Sequence, residues 1–343
     1  MKIVFDKKIP LLEERLRQVL SQESVVGLAA DEITSESVRD ADALIVRTRT
    51  RCNSGLLNGS RVKFLGTATI GTDHIDTDWC SQHGITVRNA PGCNAPAVMQ
   101  YVASSLFSAG FNPQKDVIGV VGKGNIGSLL VRIYRDAGTE VLVSDPVRKE
   151  AGFNDEDYLS IGELLARSTA VTLHVPLTFP HQSPYPTFNL INENARLFLS
   201  RGGILVNASR GRVVNPSVLA SGNATTRLII DTWPFEDDLP KEYQKGQDCP
   251  VSPKNFFVAT PHIAGYSLQG KERATRSVIE ALNSFFNIHI SAEGLADYDF
   301  RNSLPPLDKV ISSYDPLEDS RQFKSHPSQF EILRNNYKLR NEA

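Results

Sequence analysis

Three polar residues that could act together in catalysis each follow a short apolar run in the second half of the chain. Arg210 lies in VNASRGRVV, Glu236 in IIDTWPFE and His262 in ATPHIAGYS. Singly, His262 would more often be a core side chain, and Arg210 and Glu236 solvated surface charges. Ligands of open α/β sheets bind beyond the carboxyl ends of the strands, however, so residues that directly follow strands converge there.

Oxidation of a 2-hydroxy acid is the chemistry that suits this set. The guanidinium of Arg210 can hold a carboxylate through two hydrogen bonds. The neutral imidazole of His262 can take the hydroxyl proton while hydride leaves the same carbon. A carboxylate on the other ring nitrogen, that of Glu236, would set the tautomer and stabilise the imidazolium. We therefore predict Arg210, Glu236 and His262 as catalytic residues.

A glycine-rich turn earlier in the chain could bind the hydride acceptor. The sequence GKGNIG directly follows the strand-like run VIGVV and opens a helical pattern. In such a turn the first glycine allows a tight bend, the second lets the backbone approach a pyrophosphate, and the third lets the helix pack on the strand. The helix N-terminus then faces the phosphates. The residues predicted to bind the cofactor here are Gly122, Gly124, Asn125, Ile126 and Gly127.

Asp145 ends the next strand, 18 residues past Gly127. Its carboxylate can accept hydrogen bonds from the adenosine ribose hydroxyls and would repel a 2′-phosphate, which favours NAD. Arg148 is close in sequence and leaves NADP as an alternative. A glycine turn without a ligand is the other alternative.

Short β-rich runs alternate with helical patterns over most of the chain, which indicates parallel sheets with helical crossovers. The alternation restarts near residue 93. We predict two doubly wound α/β lobes, a flavodoxin-like substrate-binding lobe over 1–93 and a Rossmann NAD-binding lobe over 94–266. A helix from Ser267 to about Asn287 would return the chain to the first lobe, completing it over 267–287.

Residues 288–343 differ in character, being polar with prolines and scattered aromatic residues. This segment is too small to bury a core by itself, so we expect it to pack on another surface, such as a second subunit. A disordered tail is the alternative.

Composition excludes several classes of protein. The chain of 343 residues has a net charge of −2 and no block of Lys or Arg, which argues against nucleic acid or an anionic membrane as the main partner. No leader with an apolar core begins the chain and no apolar stretch approaches the roughly 20 residues of a membrane span, so we expect a cytoplasmic protein. The four cysteines are far apart and are expected to be reduced thiols, namely Cys52, Cys80, Cys93 and Cys249.

No metal is expected either. The cluster Asp73-His74-Ile75-Asp76 has too few His or Cys ligands for zinc, and hydride transfer needs no metal. A loop and helix N-cap is the interpretation we favour.

Several of these stretches resemble the D-2-hydroxyacid dehydrogenases. GKGNIG, HVPLT, NASRG and PHIAGY follow that family's pattern across nearly the whole of the first 287 residues. GTATIGTDHID, APGCNA and HIAGYSLQGK resemble more narrowly the branch of the family that oxidises 4-phosphoerythronate at C2 in vitamin B6 biosynthesis. The tail YDPLEDSRQFKSHPSQFEILRNNY is similar to that branch's C-terminal dimerisation segment. One departure is Pro234 in DTWPFE, where the family often has a polar residue, although Glu236 still aligns.

The resemblance implies an NAD-dependent enzyme with Arg210 and Glu236 in the active site and His262 as the acid/base. It also implies a homodimer that forms through residues 288–343. The cofactor contacts that it implies are Asp145, Val175 (through its backbone), Ala208, Ser209, Arg210, Asp231 and Gly265. The substrate contacts that it implies are Thr48, Thr69 and Tyr266.

A phosphorylated 2-hydroxy acid needs cations, and Arg47, at the end of a first-lobe strand in IVRTRTR, is our candidate. The less certain candidates are Arg49, Arg51, Arg321, Arg334 and Arg340; the alternative for Arg47 is an exposed arginine at a strand end. Two other functions stay open. One is oxidation of a different 2-hydroxy acid, such as phosphoglycerate or glycerate. The other is a non-catalytic NAD-sensing scaffold, against which the Arg/Glu/His set argues.

Overall fold

The computed structural model describes residues 1–220, 227–236 and 256–343, without the side chains at positions 194 and 196. The chain divides into two compact units. The first unit comprises Met1–Asn94 and Ser267–Phe300, and the second comprises the described residues of Ala95–Tyr266 with Arg301–Ala343. The segment 288–343, which we predicted as one appendage, is therefore shared: residues 288–300 belong to the first unit and 301–343 to the second.

A five-stranded parallel sheet lies at the centre of the first unit. In spatial order its strands are β2 (Val25–Leu28), β1 (Ile3–Asp6), β3 (Ala43–Val46), β4 (Phe64–Thr67) and β5 (Thr86–Arg88). The helices of this unit are α1 (Leu12–Arg17), α2 (Ser54–Leu57), α3 (Thr77–Gln82) and α10 (Leu268–Phe286). Every residue of β1, β3 and β4 is buried, as parallel strands require when both faces of their sheet are covered. The sequence predicted all of these strands except β2.

Helix α10 covers one face of that sheet, where its Val278 and Leu282 pack with Phe5 and Phe64. The Ser267 side chain caps the helix by accepting a hydrogen bond from the Gly270 N–H at 2.9 Å. Asn287 ends it in the left-handed conformation, with φ +51°. The predicted returning helix is thus confirmed. None of the helices in the described ranges combines the length and the apolar character that crossing a membrane requires.

A second parallel sheet lies at the centre of the second unit. Its described strands, in spatial order, are β11 (Val258–Ala259), β10 (Arg227–Ile230), β9 (Ile204–Asn207), β8 (Ala170–Leu173), β6 (Val117–Val121) and β7 (Glu140–Ser144). In the described residues α4 (Ala95–Ser108) precedes the first of these strands, and the helices between the strands are α5 (Asn125–Asp136), α6 (Pro146–Glu150), α7 (Ile161–Arg167), α8 (Arg196–Ser200) and α9 (Pro216–Ala220). The chain runs outward from β6 to β7 and then crosses back to β8, so the direction of winding reverses between β6 and β8. Ligands of such sheets bind beyond the strand ends at this reversal.

The C-terminal helices pack on the second unit of their own chain. They are α11 (Leu307–Ser312), α12 (Pro316–Ser325) and α13 (Phe330–Asn335). Along the edge strand β11, the Ser320 hydroxyl accepts the Ala259 N–H at 3.0 Å and Lys324 Nζ donates to the Phe257 carbonyl at 2.9 Å. The Phe323 ring lies 5.6 Å from that of Trp233. We expected this segment to pack on another surface, such as a second subunit; in the structure the open edge and apolar end of its own sheet provide a surface.

Candidate active site

The three glycines of the turn after β6 meet three different requirements. Gly122 has φ +89°, and a Cβ there would lie 2.6 Å from the carbonyl oxygen of His174. A Cβ on Gly127 would lie 2.0 Å from the carbonyl oxygen of Gly122, so only glycine lets α5 begin against the turn. Gly124 is the N-cap of α5 without a side-chain cap, and nothing lies within 4 Å of where its Cβ would be. The first N–H groups of α5, those of Asn125 and Ile126 among them, can therefore receive a phosphate group.

Asp145 is held beside this turn, at the end of β7. Its Oδ2 accepts the Lys123 N–H at 2.8 Å, and its Oδ1 accepts the Arg148 N–H at 3.0 Å and so caps α6. The guanidinium of Arg148, by contrast, donates to Asp155 at 3.1 Å and lies 3.9 Å from the ring of Phe153. The carboxylate next to the turn is fixed, whereas the nearby cation is already paired with another carboxylate.

His262 and Glu236 form a hydrogen-bonded pair at the end of the same sheet. Nδ1 of His262 lies 2.7 Å from Oε2 of Glu236, and the other carboxylate oxygen accepts the Trp233 N–H at 2.8 Å. Burial alone would raise the pKa of Glu236, but His262, the Trp233 N–H and the nearby Arg334 together hold that pKa below its usual range. An ionised carboxylate only accepts hydrogen bonds, so in the neutral form of the ring the proton resides on Nδ1 and Nε2 keeps its lone pair.

The loop that carries His262 is fixed by the strand next to it. Asp231 follows β10, and its carbonyl oxygen accepts the His262 N–H at 2.9 Å. The Asp231 carboxylate accepts the N–H groups of Ile263 at 2.8 Å and Ala264 at 3.0 Å, and the Thr260 hydroxyl at 2.7 Å. Burial raises the pKa of Asp231, against the opposing effects of His262 and these hydrogen bonds. Its side chain therefore supports the loop, which continues into Gly265.

Arg210 follows β9, the strand beside β10. Strand register places Asn207 next to Ile230 and Ile230 next to Ala259, so the residues after these three strands lie along one edge of the sheet. The Asn207 side chain closes the turn that carries Arg210: Oδ1 accepts from Ser209, and Nδ2 donates to the Arg210 carbonyl at 2.9 Å. The neighbouring Ala208 is half-buried.

Gly211 allows the segments after β9 and β10 to touch. A Cβ at this position would lie 2.1 Å from the carbonyl carbon and oxygen of Trp233 and 2.5 Å from the nitrogen of Pro234. Because the Trp233 N–H in turn holds the carboxylate of Glu236, this glycine lets the segment that carries Arg210 pack against the segment that carries Glu236. Pro234, the departure from the family pattern, lies inside this close approach.

One arginine of the tail lies beside Glu236, the partner of His262. Arg334 of α13 donates from Nε to the Tyr266 hydroxyl at 3.2 Å, and its NH1 lies 3.5 Å from the same Glu236 oxygen that binds His262. The other two candidate arginines of the tail have different partners. Arg340 donates to backbone carbonyls, which argues against a phosphate ligand, and Arg321 is mostly exposed with Asp315 at 3.9 Å.

The predicted substrate residues of the first unit lie at the ends of β3 and β4. Arg47 donates from Nε to the buried Asp6 carboxylate at 3.0 Å, and Thr48 after it is exposed. The Thr69 hydroxyl lies 2.7 Å from that of Thr67, which is also 3.2 Å from Nε2 of His74.

The Asp73–Asp76 stretch has the capping role that we favoured. Asp76 caps α3 by accepting the Trp79 N–H at 3.0 Å. Burial lowers the pKa of His74 to about 4, so its ring is neutral at neutral pH. Cys52, Cys80 and Cys93 are buried, while Cys249 lies outside the described residues.

Residues 3–293 match the model of the D-isomer specific 2-hydroxyacid dehydrogenase catalytic domain. The chain belongs to this family. A relative named erythronate-4-phosphate dehydrogenase, from Bacteroides fragilis, is 39% identical over all of this chain and 97% of its own length. A relative of the same name from Escherichia fergusonii is 36% identical over all of this chain and 92% of its own.

Solved structures of D-2-hydroxyacid dehydrogenases share the fold. The D-lactate dehydrogenase of Aquifex aeolicus, complexed with NAD and lactic acid, has a TM-score of 0.63 at 23% identity, over 83% of this chain and 96% of that one. The NAD-bound 3-phosphoglycerate dehydrogenase of Entamoeba histolytica has a TM-score of 0.64 at 23% identity, over 87% and 99%. The family model ends at residue 293, whereas the two full-length relatives align through the tail.

We did not predict two features of this candidate site from the sequence. Gly211 had a detectable signal, since it directly follows Arg210 in NASRG, but its contact with Trp233 depends on how β9 and β10 pair. Arg334 was considered only as a phosphate ligand, because nothing local in the tail places it beside Glu236.

We predict that Gly211→Ala lowers the free energy of unfolding by about 1–3 kcal/mol, since its Cβ overlaps the Trp233 backbone. Gly162→Ala in α7 is the matched control, because nothing lies within 4 Å of its Cβ position and alanine favours helix. Thermal and urea unfolding of both variants tests this. Equal stability of Gly211→Ala and wild type would show that the two segments are not in close contact.

Proposed function

We propose that this protein oxidises 4-phosphoerythronate at C2, with NAD as the hydride acceptor, in vitamin B6 biosynthesis. The observation that carries the proposal is the pairing of His262 with an ionised Glu236, on the same sheet as a glycine turn that can hold a dinucleotide. The relatives named erythronate-4-phosphate dehydrogenase, which align over the whole chain and its tail, support the choice of substrate.

The residues present fit a dinucleotide with an unmodified ribose. Gly122 and Gly124 keep the start of α5 clear for the pyrophosphate, and Val175 borders the turn, with its Cγ1 2.8 Å from where a Cβ on Gly122 would be. Asp145 would accept hydrogen bonds from the ribose and repel a 2′-phosphate, while Arg148 is paired with Asp155. NAD is therefore favoured over NADP. When bound, NAD supplies the electrophilic carbon that accepts hydride.

The protein's own groups would move the proton and orient the acid. Nε2 of His262 accepts the proton of the C2 hydroxyl as hydride leaves C2, and the Glu236 carboxylate stabilises the resulting imidazolium. Arg210 holds the substrate carboxylate bidentately, which presents one face of C2 for transfer. The further cofactor contacts in this proposal are Ala208, Ser209, Asp231 and Gly265.

Four further residues are assigned to the rest of the substrate. We assign Thr48, Thr69 and Tyr266 to substrate hydroxyls and Arg47 to the phosphate. Arg47 suits that role because its bond to Asp6 uses Nε and orients the guanidinium. The assignments of Thr48, Thr69 and Tyr266 rest on the family resemblance, and that of Arg47 on its charge and its position at the end of β3.

On the same resemblance, we propose a cytoplasmic homodimer formed through the C-terminal segment. Because α12 already covers β11 in its own chain, the contact between copies would use other faces of that segment. Sedimentation velocity on the purified protein tests this, and a monomer at micromolar concentration would contradict it.

His262→Asn should keep NAD affinity but lower kcat about 10²–10⁴-fold, because the proton acceptor is lost. Glu236→Gln should also lower kcat with NAD affinity kept, since an amide does not stabilise the imidazolium. Steady-state kinetics and NAD titration by calorimetry measure both quantities. The control is His289→Asn, an exposed histidine of the first unit, and normal turnover by His262→Asn would refute its role.

Substrate choice is tested by supplying 4-phosphoerythronate, erythronate and 3-phosphoglycerate separately, with NAD and a 2-oxo acid, and following both NADH and the acid. We expect kcat/KM for erythronate to be at least about 100-fold below that for its phosphate ester. Arg47→Ala should reduce that preference, whereas Arg61→Ala, an exposed arginine of the same unit, should not. Oxidation of 3-phosphoglycerate alone would show that the substrate is not 4-phosphoerythronate. Binding of NAD without turnover of any acid would favour a scaffold.

A further inference from the structure

The loop that carries His262 adopts a backbone conformation that needs external support. His262 has φ +58°, in the left-handed region that non-glycine residues seldom occupy. Such residues persist where their surroundings fix them. The described residues around this loop should therefore contain groups that hold its peptide units from more than one side.

Asp231 holds one side of the loop. Its carboxylate oxygens accept the N–H groups of Ile263 and Ala264. Its position is fixed in turn by the Thr260 hydroxyl, which also lies 2.7 Å from the hydroxyl of Tyr101 in α4. A negative charge thus faces the N–H side of these peptide units.

Arg340, the fourth residue from the end of the sequence given, holds the other side. Its NH1 donates to the carbonyl oxygens of Ile263 at 3.0 Å and Tyr266 at 3.1 Å. Its NH2 donates to the carbonyl oxygen of Ala264. A positive charge thus faces carbonyl groups of the same loop. The peptide unit between Ile263 and Ala264 is held from both sides, because its N–H is bonded to Asp231 and its C=O to Arg340, so its dipole lies between two opposite charges.

The rest of the guanidinium is anchored to α4 and the tail. NH2 also donates to the Ala97 carbonyl at 3.0 Å, and Nε donates to Oε1 of Gln100 at 3.0 Å. The ring of Tyr314 lies 4.5 Å from the guanidinium carbon. All five N–H groups of Arg340 are directed at acceptors, an arrangement that a lysine ammonium with three donors does not reproduce.

We propose that Arg340 is a positioning residue, which holds the 262–266 loop so that Nε2 of His262 faces the reacting hydroxyl. This role rests on the proposed function, because it takes His262 to be the proton acceptor. Displacement of a reacting group by about 1 Å can cost 10²-fold in rate. The tail then affects turnover through the backbone of the loop, without touching substrate.

Arg340→Ala and Arg340→Lys test the proposal in the full chain, with Arg321→Ala as the matched control on an exposed tail arginine. Hydrogen exchange of the peptide covering residues 259–268, with no substrate present, reports the order of the loop. We expect Arg340→Ala to speed that exchange roughly tenfold or more, because the loop opens locally. We expect the kcat of Arg340→Ala to fall about 10–100-fold. Millimolar guanidinium chloride should restore part of that activity. The kcat of Arg340→Lys should lie between those of wild type and Arg340→Ala.

A general loss of stability is separated by a comparison variant. Phe111→Ala removes a buried ring that packs on Tyr134, away from the loop. If Phe111→Ala has a similar unfolding midpoint but keeps its kcat and loop exchange, the effect of Arg340 is specific. Two results would overturn the proposal. One is that Arg340→Ala leaves both kcat and the hydrogen exchange of the loop unchanged. The other is that Phe111→Ala shows the same changes in kcat and loop exchange as Arg340→Ala, while guanidinium does not restore the activity of Arg340→Ala. If wild type oxidises no 2-hydroxy acid, the proposed function fails, while the exchange measurement still decides the role of Arg340 in the loop.

Discussion

The hydrogen bond of 2.7 Å between His262 and Glu236 joins the segments after two neighbouring strands, and much of the second unit serves to hold its two ends. On one side, the Trp233 N–H fixes the carboxylate, and Gly211 lets the chain after β9 reach Trp233. On the other side, Asp231 and Arg340 hold the backbone of the histidine loop. The tautomer of the His262 ring is set by the group that hydrogen-bonds with Nδ1. It therefore depends on all of the residues that hold Glu236 and the histidine loop in place.

The parallel sheet explains how such distant residues meet. In a parallel sheet every strand ends at the same edge, so the segments after β9, β10 and β11 become neighbours without any local signal between them. The same edge receives the glycine turn after β6, where the winding of the sheet reverses. A dinucleotide site and a proton-accepting pair on one edge are what a 2-hydroxyacid dehydrogenase requires.

Local sequence patterns predicted the strands of this edge and the residues that follow them. They also predicted the roles of Gly122 and Gly127. A tight turn requires glycine, and so does a helix that begins against that turn, whatever the rest of the chain does. They did not predict β2, or that the tail packs on its own sheet. Those features, like Gly211 and Arg340, depend on contacts between residues far apart in the chain, which periodicity and spacing do not encode.

The most direct measurement is the ¹⁵N shift of the His262 ring nitrogens in the protein at neutral pH, assigned by comparison with His262→Asn. We predict that the neutral ring has a protonated Nδ1 in hydrogen-bond contact with a carboxylate, and an unprotonated Nε2. It also predicts that Glu236→Gln changes the Nδ1 signal. A ring with its single proton on Nε2, or signals unaffected by that substitution, would contradict the claim that Glu236 prepares His262 to accept a proton.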